Sequence, residues 1–193
     1  MRKARRRRRR LAFGGATVAA VVVALLALVL SGVFDEVIQE LTLPLRHDDI
    51  IRQQAEDKQV DASLIAAVIY AESRFRDQTS HAGARGLMQI TPTTAHDIER
   101  LSGGTTFRLR DLSDPDINIR YGTFYLGLLL ERYDGNEVAA LAGYNAGPTA
   151  VDRWGGASLS LDEIELAETR GYVGEVLEKR AAYREEYAQE LGY

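Results

Sequence analysis

The stretch AVIYAESRF, residues 67–75, contains a single carboxylate, Glu72, within a run that otherwise has the pattern of a buried helix. Val68 precedes Glu72 by four residues and Ile65 by seven, so the three side chains share one helix face. A carboxylate removed from water prefers its neutral form, and the negative end of a helix acts in the same direction. The stretch therefore predicts a core helix that ends in a protonated acid at neutral pH.

Helical patterning continues along the rest of the chain from His47 onward. Helix-start signals, in which a Ser, Thr, Asp or Asn precedes an apolar run, often with proline next, occur at four positions: Asp61, Thr91-Pro92, Asp114-Pro115 and Asn136. Strand signals are scarce, and the glycine-rich segment SHAGARGLMQI, residues 80–90, predicts a loop or a small hairpin. We expect an all-α domain over residues 47–193, with one irregular segment and a charged final helix.

The chain begins with a basic tail followed by a long uncharged run. Residues 1–10 contain Lys3 and seven arginines, whereas residues 11–34 carry no charge. A helix of this length reaches about 36 Å, enough to cross a hydrocarbon core of about 30 Å. Because basic flanks remain in the cytoplasm, we expect a cytoplasmic tail, a single transmembrane helix at 11–34 and a stalk at 35–46. The domain would then lie outside the cytoplasm, in the periplasm or on the cell-wall side.

A cleaved signal peptide is the alternative interpretation of the N-terminal segment. The apolar core of a signal peptide usually has about 7–15 residues and ends at a small-x-small cleavage site. The core here is longer and no clean A-x-A follows, although the arginine cluster loosely resembles a twin-arginine signal. Core length favours an uncleaved anchor.

Composition argues against several classes of function. Without the basic tail, 16 Lys and Arg face 28 Asp and Glu, a net charge of −12, which would repel a phosphate backbone. The chain has no cysteine, and its three histidines show no metal-ligand spacing. We therefore expect no nucleic-acid partner, no metal and no cofactor.

Three short motifs follow the Glu72-Ser73 pair in a recognisable order. They are GLMQI at 86–90, GYNAGP at 143–148 and ETRGYV at 168–173, with the helix opening DPDINIRYGTFYL at 114–126. Over about residues 47–185, this series resembles the lytic transglycosylases of the soluble, goose-lysozyme-like class. The resemblance implies an α-helical lysozyme-like fold that acts on peptidoglycan. Without these motifs, a buried ion pair between Glu72 and a nearby arginine would be the better interpretation.

The resemblance also implies a mechanism with Glu72 as the only essential carboxylate. Glu72 would protonate the glycosidic oxygen after N-acetylmuramic acid and then deprotonate the 6-hydroxyl of that sugar, which attacks the anomeric carbon. The product is a 1,6-anhydro sugar. Since the substrate supplies the nucleophile, Asp77 need not be catalytic.

The same resemblance implies a set of residues that bind substrate, namely Ser73, Met88, Gln89, Tyr144, Asn145, Glu168 and Tyr172. The family tyrosine at Tyr144 contacts the catalytic acid. The sequence departs from the common pattern at Ala71, where glutamine is frequent, and at Gly143, where alanine is frequent. Neither change removes a reacting group.

Some of these residues also have a structural interpretation. Ser73 could equally well cap the helix end. Met88 would usually fill a core. Glu168 could form a surface ion pair with Arg170 or Lys179.

Two other functions compete with a lytic transglycosylase. A muramidase would keep the fold and use water as the nucleophile, and a wall-binding scaffold would keep the fold without catalysis. A cell-wall or secretion machinery is a possible partner that the sequence leaves unidentified.

Overall fold

The computed structural model describes residues 21–23, 26–27, 38–103 and 108–193. The chain divides into two compact units, Met1–Leu43 and Pro44–Tyr193. The range 47–193, predicted as one domain, lies within the second unit.

In the first unit, the described residues 21–23, 26–27 and 38–42 are helical. The predicted basic tail and most of the predicted membrane segment at 11–34 lie outside the described residues. Across the part of the chain that the structure describes, no helix combines the length and the apolar character that a membrane crossing requires.

Seven α-helices lie within the described residues of the second unit: α1 Asp48–Lys58, α2 Ala62–Ser73, α3 Pro92–Ser102, α4 Pro115–Arg132, α5 Glu137–Ala146, α6 Pro148–Trp154 and α7 Ala167–Glu186. Short 3-10 segments occur at Leu109–Ser113, Gly156–Ser158 and Leu161–Glu163. The residues described here form no β-strand, only isolated bridges from Arg85 to Thr79 and Ile90. The all-α prediction is confirmed, and the bridges agree with a small hairpin-like loop at 80–90.

The predicted helix starts are confirmed by capping geometry. Asp61, Thr91, Asp114 and Asn136 each accept a hydrogen bond from a backbone N–H in the first turn of the helix that follows. These bonds satisfy amides that have no partner inside the helix. Helix α6 is not among the predicted helix starts, because glycine followed by proline usually marks the end of a helix. Pro148 instead occupies the first turn of a new helix, where its missing N–H costs nothing.

Helix α2 forms the centre of the second unit. Every residue from Ala62 to Tyr70 is buried, so the helix is enclosed on all sides and not on one face alone. Its most extensive packing is against α7. At roughly 25 cal/mol per Å² of apolar surface, this burial makes α2 a major source of stability. The last turn of this rigid helix holds Glu72.

Candidate active site

Glu72 lies in the last turn of α2, where the helix ends in an unusual backbone turn. Arg74 and Phe75 both adopt positive φ angles, 51° and 59°, which reverse the chain directly after Ser73. The Glu72 side chain remains partly buried. The turn therefore leaves the acid at the end of a buried helix, facing the loop that follows.

The ionisation of Glu72 is strongly perturbed. Removal from water raises its pKa from 4.5 to about 7, and an interaction with the nearby Tyr172 hydroxyl opposes this rise. The Tyr172 hydroxyl is itself buried, and it does not reach hydrogen-bonding geometry with any described group. The hydroxyl therefore acts on Glu72 as a neighbouring dipole and not through a formed hydrogen bond. Glu72 is consequently about half protonated near neutral pH.

The arginines near Glu72 do not neutralise it. Arg74 forms an ion pair with Glu175 of α7, with 3.3 Å between nitrogen and oxygen, and its guanidinium lies 4.4 Å from the centre of the Tyr70 ring. Among the described residues, Glu72 forms no ion pair with Arg74, Arg76 or Arg85. The buried ion pair considered from the sequence is therefore not observed in this part of the chain.

Tyr144, on α5, is a second tyrosine close to the acid. Burial raises the pKa of Tyr144 well above its usual value, and the charge of Glu72 adds to the rise. The Tyr144 hydroxyl donates its hydrogen bond to the backbone carbonyl of Met88, at 3.0 Å. The ring also packs against Tyr125, with 5.6 Å between ring centres. In this structure, Tyr144 holds the loop beside Glu72 and does not bond to the carboxylate.

Three helices hold the backbone of the loop beside the acid. Ser73 of α2 donates to the Leu87 carbonyl at 2.7 Å. Asn118 of α4 accepts from the Met88 N–H at 2.8 Å and donates to the Arg85 carbonyl at 2.9 Å. Tyr144 of α5 completes the set through the Met88 carbonyl. The loop therefore has a fixed position relative to Glu72.

Two glycines allow this loop to approach α4 closely. A Cβ atom on Gly86 would lie 2.1 Å from the Asn118 amide nitrogen, and one on Gly122 would lie 2.3 Å from the Met88 sulfur. Gly86 also has a φ of 76°, which side-chain-bearing residues rarely adopt. Any larger residue at either position would displace the loop from the helix.

Met88 occupies the core and not the surface of the site. Its side chain has no exposed area and its sulfur packs against Gly122. A direct contact between this side chain and a sugar, expected from the sequence, does not fit that burial. Met88 contributes to the site through its backbone, because its N–H bonds to Asn118 and its carbonyl bonds to Tyr144.

Gln89 has a defined orientation. Its backbone has a φ of 46°, and its side-chain nitrogen donates to the carbonyls of Gln78 and Gly86 at 3.0 and 2.8 Å. Because both partners are acceptors, the nitrogen must face the loop. The side-chain oxygen is left as an acceptor for an external donor.

The remaining predicted residues lie on α5 and α7. Asn145 is exposed and accepts a hydrogen bond from Thr169 at 2.8 Å, which links the two helices. Glu168 is exposed in the first turn of α7, one helical turn before Tyr172. Arg170 instead donates to the Ile164 carbonyl, and Lys179 pairs with Glu178. The surface ion pairs considered for Glu168 are therefore not formed among the described residues.

Two further residues that contact the loop, Asn118 and Gln78, were not predicted from the sequence. Asn118 is fully buried, and its side chain bonds to the loop at Met88 and Arg85 and to the Leu112 carbonyl of the 3-10 segment Leu109–Ser113. A polar residue between Ile117 and Ile119, in a helix opening shared with the family, was an available signal. Gln78 is exposed and lies in an irregular segment, where no periodicity distinguishes it.

The arrangement supports acid–base chemistry by one carboxyl group. Glu72 has a pKa near neutrality, as proton transfer at that pH requires. Asp77, the nearest carboxylate after it in sequence, is exposed. The described residues contain no group of three or more side chains suited to hold a metal ion.

Comparisons with known proteins agree with this geometry. A family model described as transglycosylase SLT domain matches residues 49–166. The soluble lytic murein transglycosylase of Escherichia coli K12 is 35% identical over 167 residues, which cover 82% of this chain and 26% of that protein. Membrane-bound lytic murein transglycosylase C of Haemophilus influenzae PittEE is 38% identical over 114 residues, covering 54% and 32%.

A solved structure extends the likeness to the fold. An inactive Glu-to-Gln mutant of lytic transglycosylase Slt from Pseudomonas aeruginosa matches with a TM-score of 0.72 at 32% identity, over 78% of this chain and 26% of that one. The described helices therefore have a lysozyme-like arrangement. The chain spans about a quarter of the length of the Escherichia coli relative.

Proposed function

Because the chain belongs to the transglycosylase SLT domain family, we propose that it is a lytic transglycosylase acting on peptidoglycan. It would cleave the β-1,4 bond between N-acetylmuramic acid and N-acetylglucosamine. The observation that carries the proposal is Glu72, an acid without an ion pair among the described residues and with a pKa of about 7. Relatives named as murein transglycosylases support the choice of substrate.

Glu72 would act first as an acid and then as a base. Its proton passes to the oxygen that joins the two sugars, the bond from that oxygen to the anomeric carbon breaks, and N-acetylglucosamine leaves with a new hydroxyl. The 6-hydroxyl of the muramic acid then attacks the same carbon and returns its proton to Glu72. The product is a 1,6-anhydro sugar, and the enzyme regains its starting state.

A pKa near 7 suits both steps. A more acidic carboxyl would seldom carry the proton at neutral pH, and a less acidic one would be a poor donor. The acetamido group of the substrate can stabilise the positive charge that develops on the sugar. No second protein carboxylate is then required, which agrees with the exposed position of Asp77.

The remaining site residues would bind the glycan around this acid. The Gln89 side-chain oxygen can accept a bond from a sugar hydroxyl or amide, since its nitrogen is engaged by the loop. Glu168 and Asn145 are exposed and available to a glycan strand. Ser73 and Tyr144 would act through the loop backbone that they hold.

Replacement of Glu72 by Gln tests the proposal. The amide keeps the shape and removes the transferable proton, so we expect turnover of purified sacculi to fall by roughly 10²–10⁴-fold while binding to sacculi remains. Exposed Glu186 provides a matched control, and Glu186→Gln should behave as wild type. Unchanged turnover in Glu72→Gln would refute the assignment.

Mass spectrometry of the released muropeptides identifies the nucleophile. Attack by the 6-hydroxyl gives a product lighter by one water than the product of hydrolysis. Products that all carry a reducing end would identify a muramidase, and sacculus binding without any release would indicate a non-catalytic scaffold.

We also propose that the domain acts outside the cytoplasm, held at the membrane by residues 11–34. The uncharged run and its basic flank support this location, and one relative is named as membrane-bound. Membrane fractionation of the intact chain and of a variant without residues 1–34 tests it. Equal recovery of both in the soluble fraction would contradict anchoring.

A further inference from the structure

Gln78 contacts the two parts of the proposed site at once. Its side-chain nitrogen donates to the backbone carbonyl of Glu72 at 3.1 Å. Its own backbone carbonyl accepts from the Gly86 N–H and from the Gln89 side chain, both at 3.0 Å. One exposed residue therefore joins the helix end that carries the acid to the loop that carries Gln89.

The bond to Glu72 supplies a donor that the helix lacks. The last four carbonyls of an α-helix have no N–H partner inside the helix, and Glu72 is the next-to-last residue of α2. Its carbonyl also contributes to the negative end of the helix dipole, close to its own carboxyl group. The Gln78 amide fixes this carbonyl and offsets part of that negative potential.

The bond from Gln89 has a different effect. Two carbonyls, those of Gln78 and Gly86, hold the Gln89 nitrogen and so direct its oxygen outward. The bridge between Thr79 and Arg85 keeps the segment after Gln78 beside the loop. Gln78 thus couples the orientation of the Gln89 side-chain oxygen to the position of the Glu72 backbone.

We propose that Gln78 is a positioning residue, whose side chain aligns Glu72 with the loop that orients Gln89. This inference rests on the proposed function, since the alignment matters only if Glu72 transfers a proton to a bound glycan. Gln78 does not need to touch the substrate. Its removal should therefore lower kcat and leave KM nearly unchanged.

Substitution Gln78→Met tests the inference, because methionine keeps the length of the side chain and cannot donate. Loss of one hydrogen bond of about 0.5–1.5 kcal/mol corresponds to a fall in kcat of roughly 2–12-fold. Gln78→Lys restores a donor and should recover part of the loss. A rise in KM with unchanged kcat would overturn the positioning role.

The chain offers a matched control at another helix end. Gln59, after α1, donates from its side chain to the Glu56 carbonyl at 2.8 Å and is exposed like Gln78. Gln59→Met removes the same kind of bond between α1 and α2, near the end of α2 that is opposite to Glu72. We expect similar small losses of thermal stability in both variants and a lower kcat only in Gln78→Met. Equal kcat values in the two variants would overturn the inference.

A readout without turnover separates this inference from the proposed function. The ¹³C chemical shift of the Glu72 carboxyl group reports its titration whether or not the protein is active. Gln78→Met should move that titration to higher pH, because loss of the amide donor makes the local potential more negative. Gln78→Lys should move it to lower pH, because the added positive charge makes the potential more positive. Inactive wild-type protein would refute the proposed function, whereas unchanged titration in both variants would refute the role of Gln78.

Discussion

The two ends of helix α2 each carry a carboxylate, and their surroundings are opposite. Asp61, at the N-terminal end, accepts hydrogen bonds from the Ser63 hydroxyl, the Leu64 N–H at 3.0 Å and the Tyr193 hydroxyl at 2.8 Å. Arg184 approaches it at 3.0 Å and Arg180 at 3.4 Å. Burial raises the pKa of Asp61, but the hydrogen bonds and the charge of Arg180 outweigh burial and lower it.

Glu72, at the C-terminal end, has no ion pair and no formed hydrogen bond at its carboxylate among the described residues, and only the nearby Tyr172 hydroxyl opposes the rise of its pKa. The helix dipole favours an anion at the Asp61 end and disfavours one at the Glu72 end. Burial without a cation then raises the pKa of Glu72 to about 7. A fully compensated acid stabilises the fold, whereas an uncompensated acid weakens the fold and keeps a proton that it can transfer. If Glu72 acts as proposed, the helix separates stability from chemistry along its length.

The largest expected effect on stability concerns Glu72→Gln. The folded state holds the Glu72 proton up to about pH 7, whereas the unfolded state loses it near pH 4.5. Ionised Glu72 therefore destabilises wild type progressively between these values, by about 3 kcal/mol above pH 7. Because glutamine mimics the neutral acid, Glu72→Gln should be more stable than wild type at pH 8 and nearly equal to it at pH 4.

Urea unfolding at pH 4, 6 and 8 measures this difference. Glu186→Gln, at an exposed position of α7, controls for the loss of one negative charge and should show no comparable dependence on pH. A stability gain in Glu72→Gln that is the same at all three pH values would contradict the buried, uncompensated acid.

Local signals in the sequence were sufficient for the helix starts and for the partly buried carboxyl group at the end of α2. Asp61, Thr91, Asp114 and Asn136 satisfy amides in their own helices, so their caps are predictable without tertiary structure. The inward direction of Glu72 likewise followed from its spacing to Val68. These features depend on neighbours along the chain.

Other features depend on contacts between distant segments and could not be predicted in this way. Met88 is directed into the core because Gly122, 34 positions later, leaves space for its sulfur. The role of Asn118 depends on a loop about thirty residues earlier in the chain. Pro148 begins α6 although glycine and proline usually mark a stop. Residue type alone does not distinguish these outcomes.

At the N-terminal end of α2, substitution of Asp61 measures how much its hydrogen bonds and ion pairs stabilise the fold. Asp61→Asn keeps a capping oxygen and removes the charge that Arg180 and Arg184 face, so we expect a loss of about 1–2 kcal/mol at pH 7. Ionised Asp61 stabilises the fold above its unfolded pKa of 3.8, and this stabilisation is lost as the pH falls through the lower folded value. The difference from wild type should therefore shrink in strong acid.

Chemical unfolding at pH 7 and at pH 3 or below measures the effect of Asp61→Asn. Asp116 is a suitable control, because it pairs with Arg120 at 3.2 Å on an exposed surface. Asp116→Asn should cost about 0.5 kcal/mol or less. Equal losses in the two variants would mean that the network around Asp61 contributes no more than an ordinary surface ion pair.

The smallest effect comes from removing one hydroxyl at each end of α2. The Tyr172 hydroxyl lowers the pKa of Glu72, so Tyr172→Phe should raise that pKa and move the alkaline fall of kcat/KM to higher pH. Because the hydroxyl acts as a dipole without a formed hydrogen bond, its effect should be smaller than the roughly 0.5–1.5 kcal/mol of such a bond, so the move should be less than about one pH unit. The measurement is kcat/KM on soluble glycan strands from pH 5 to 9.

Tyr193→Phe is the matching change at the other end, because its hydroxyl donates to Asp61 and accepts from the Ser63 N–H at 3.0 Å. It should lower the free energy of unfolding by about 1 kcal/mol and leave the pH profile of activity unchanged. Removal of a tyrosine hydroxyl would then change the pH dependence of activity at the Glu72 end of α2 and the free energy of unfolding at the Asp61 end. If Tyr193→Phe moved the pH profile as far as Tyr172→Phe does, the two ends of α2 would be electrostatically coupled, and the separation of stability from chemistry would be wrong.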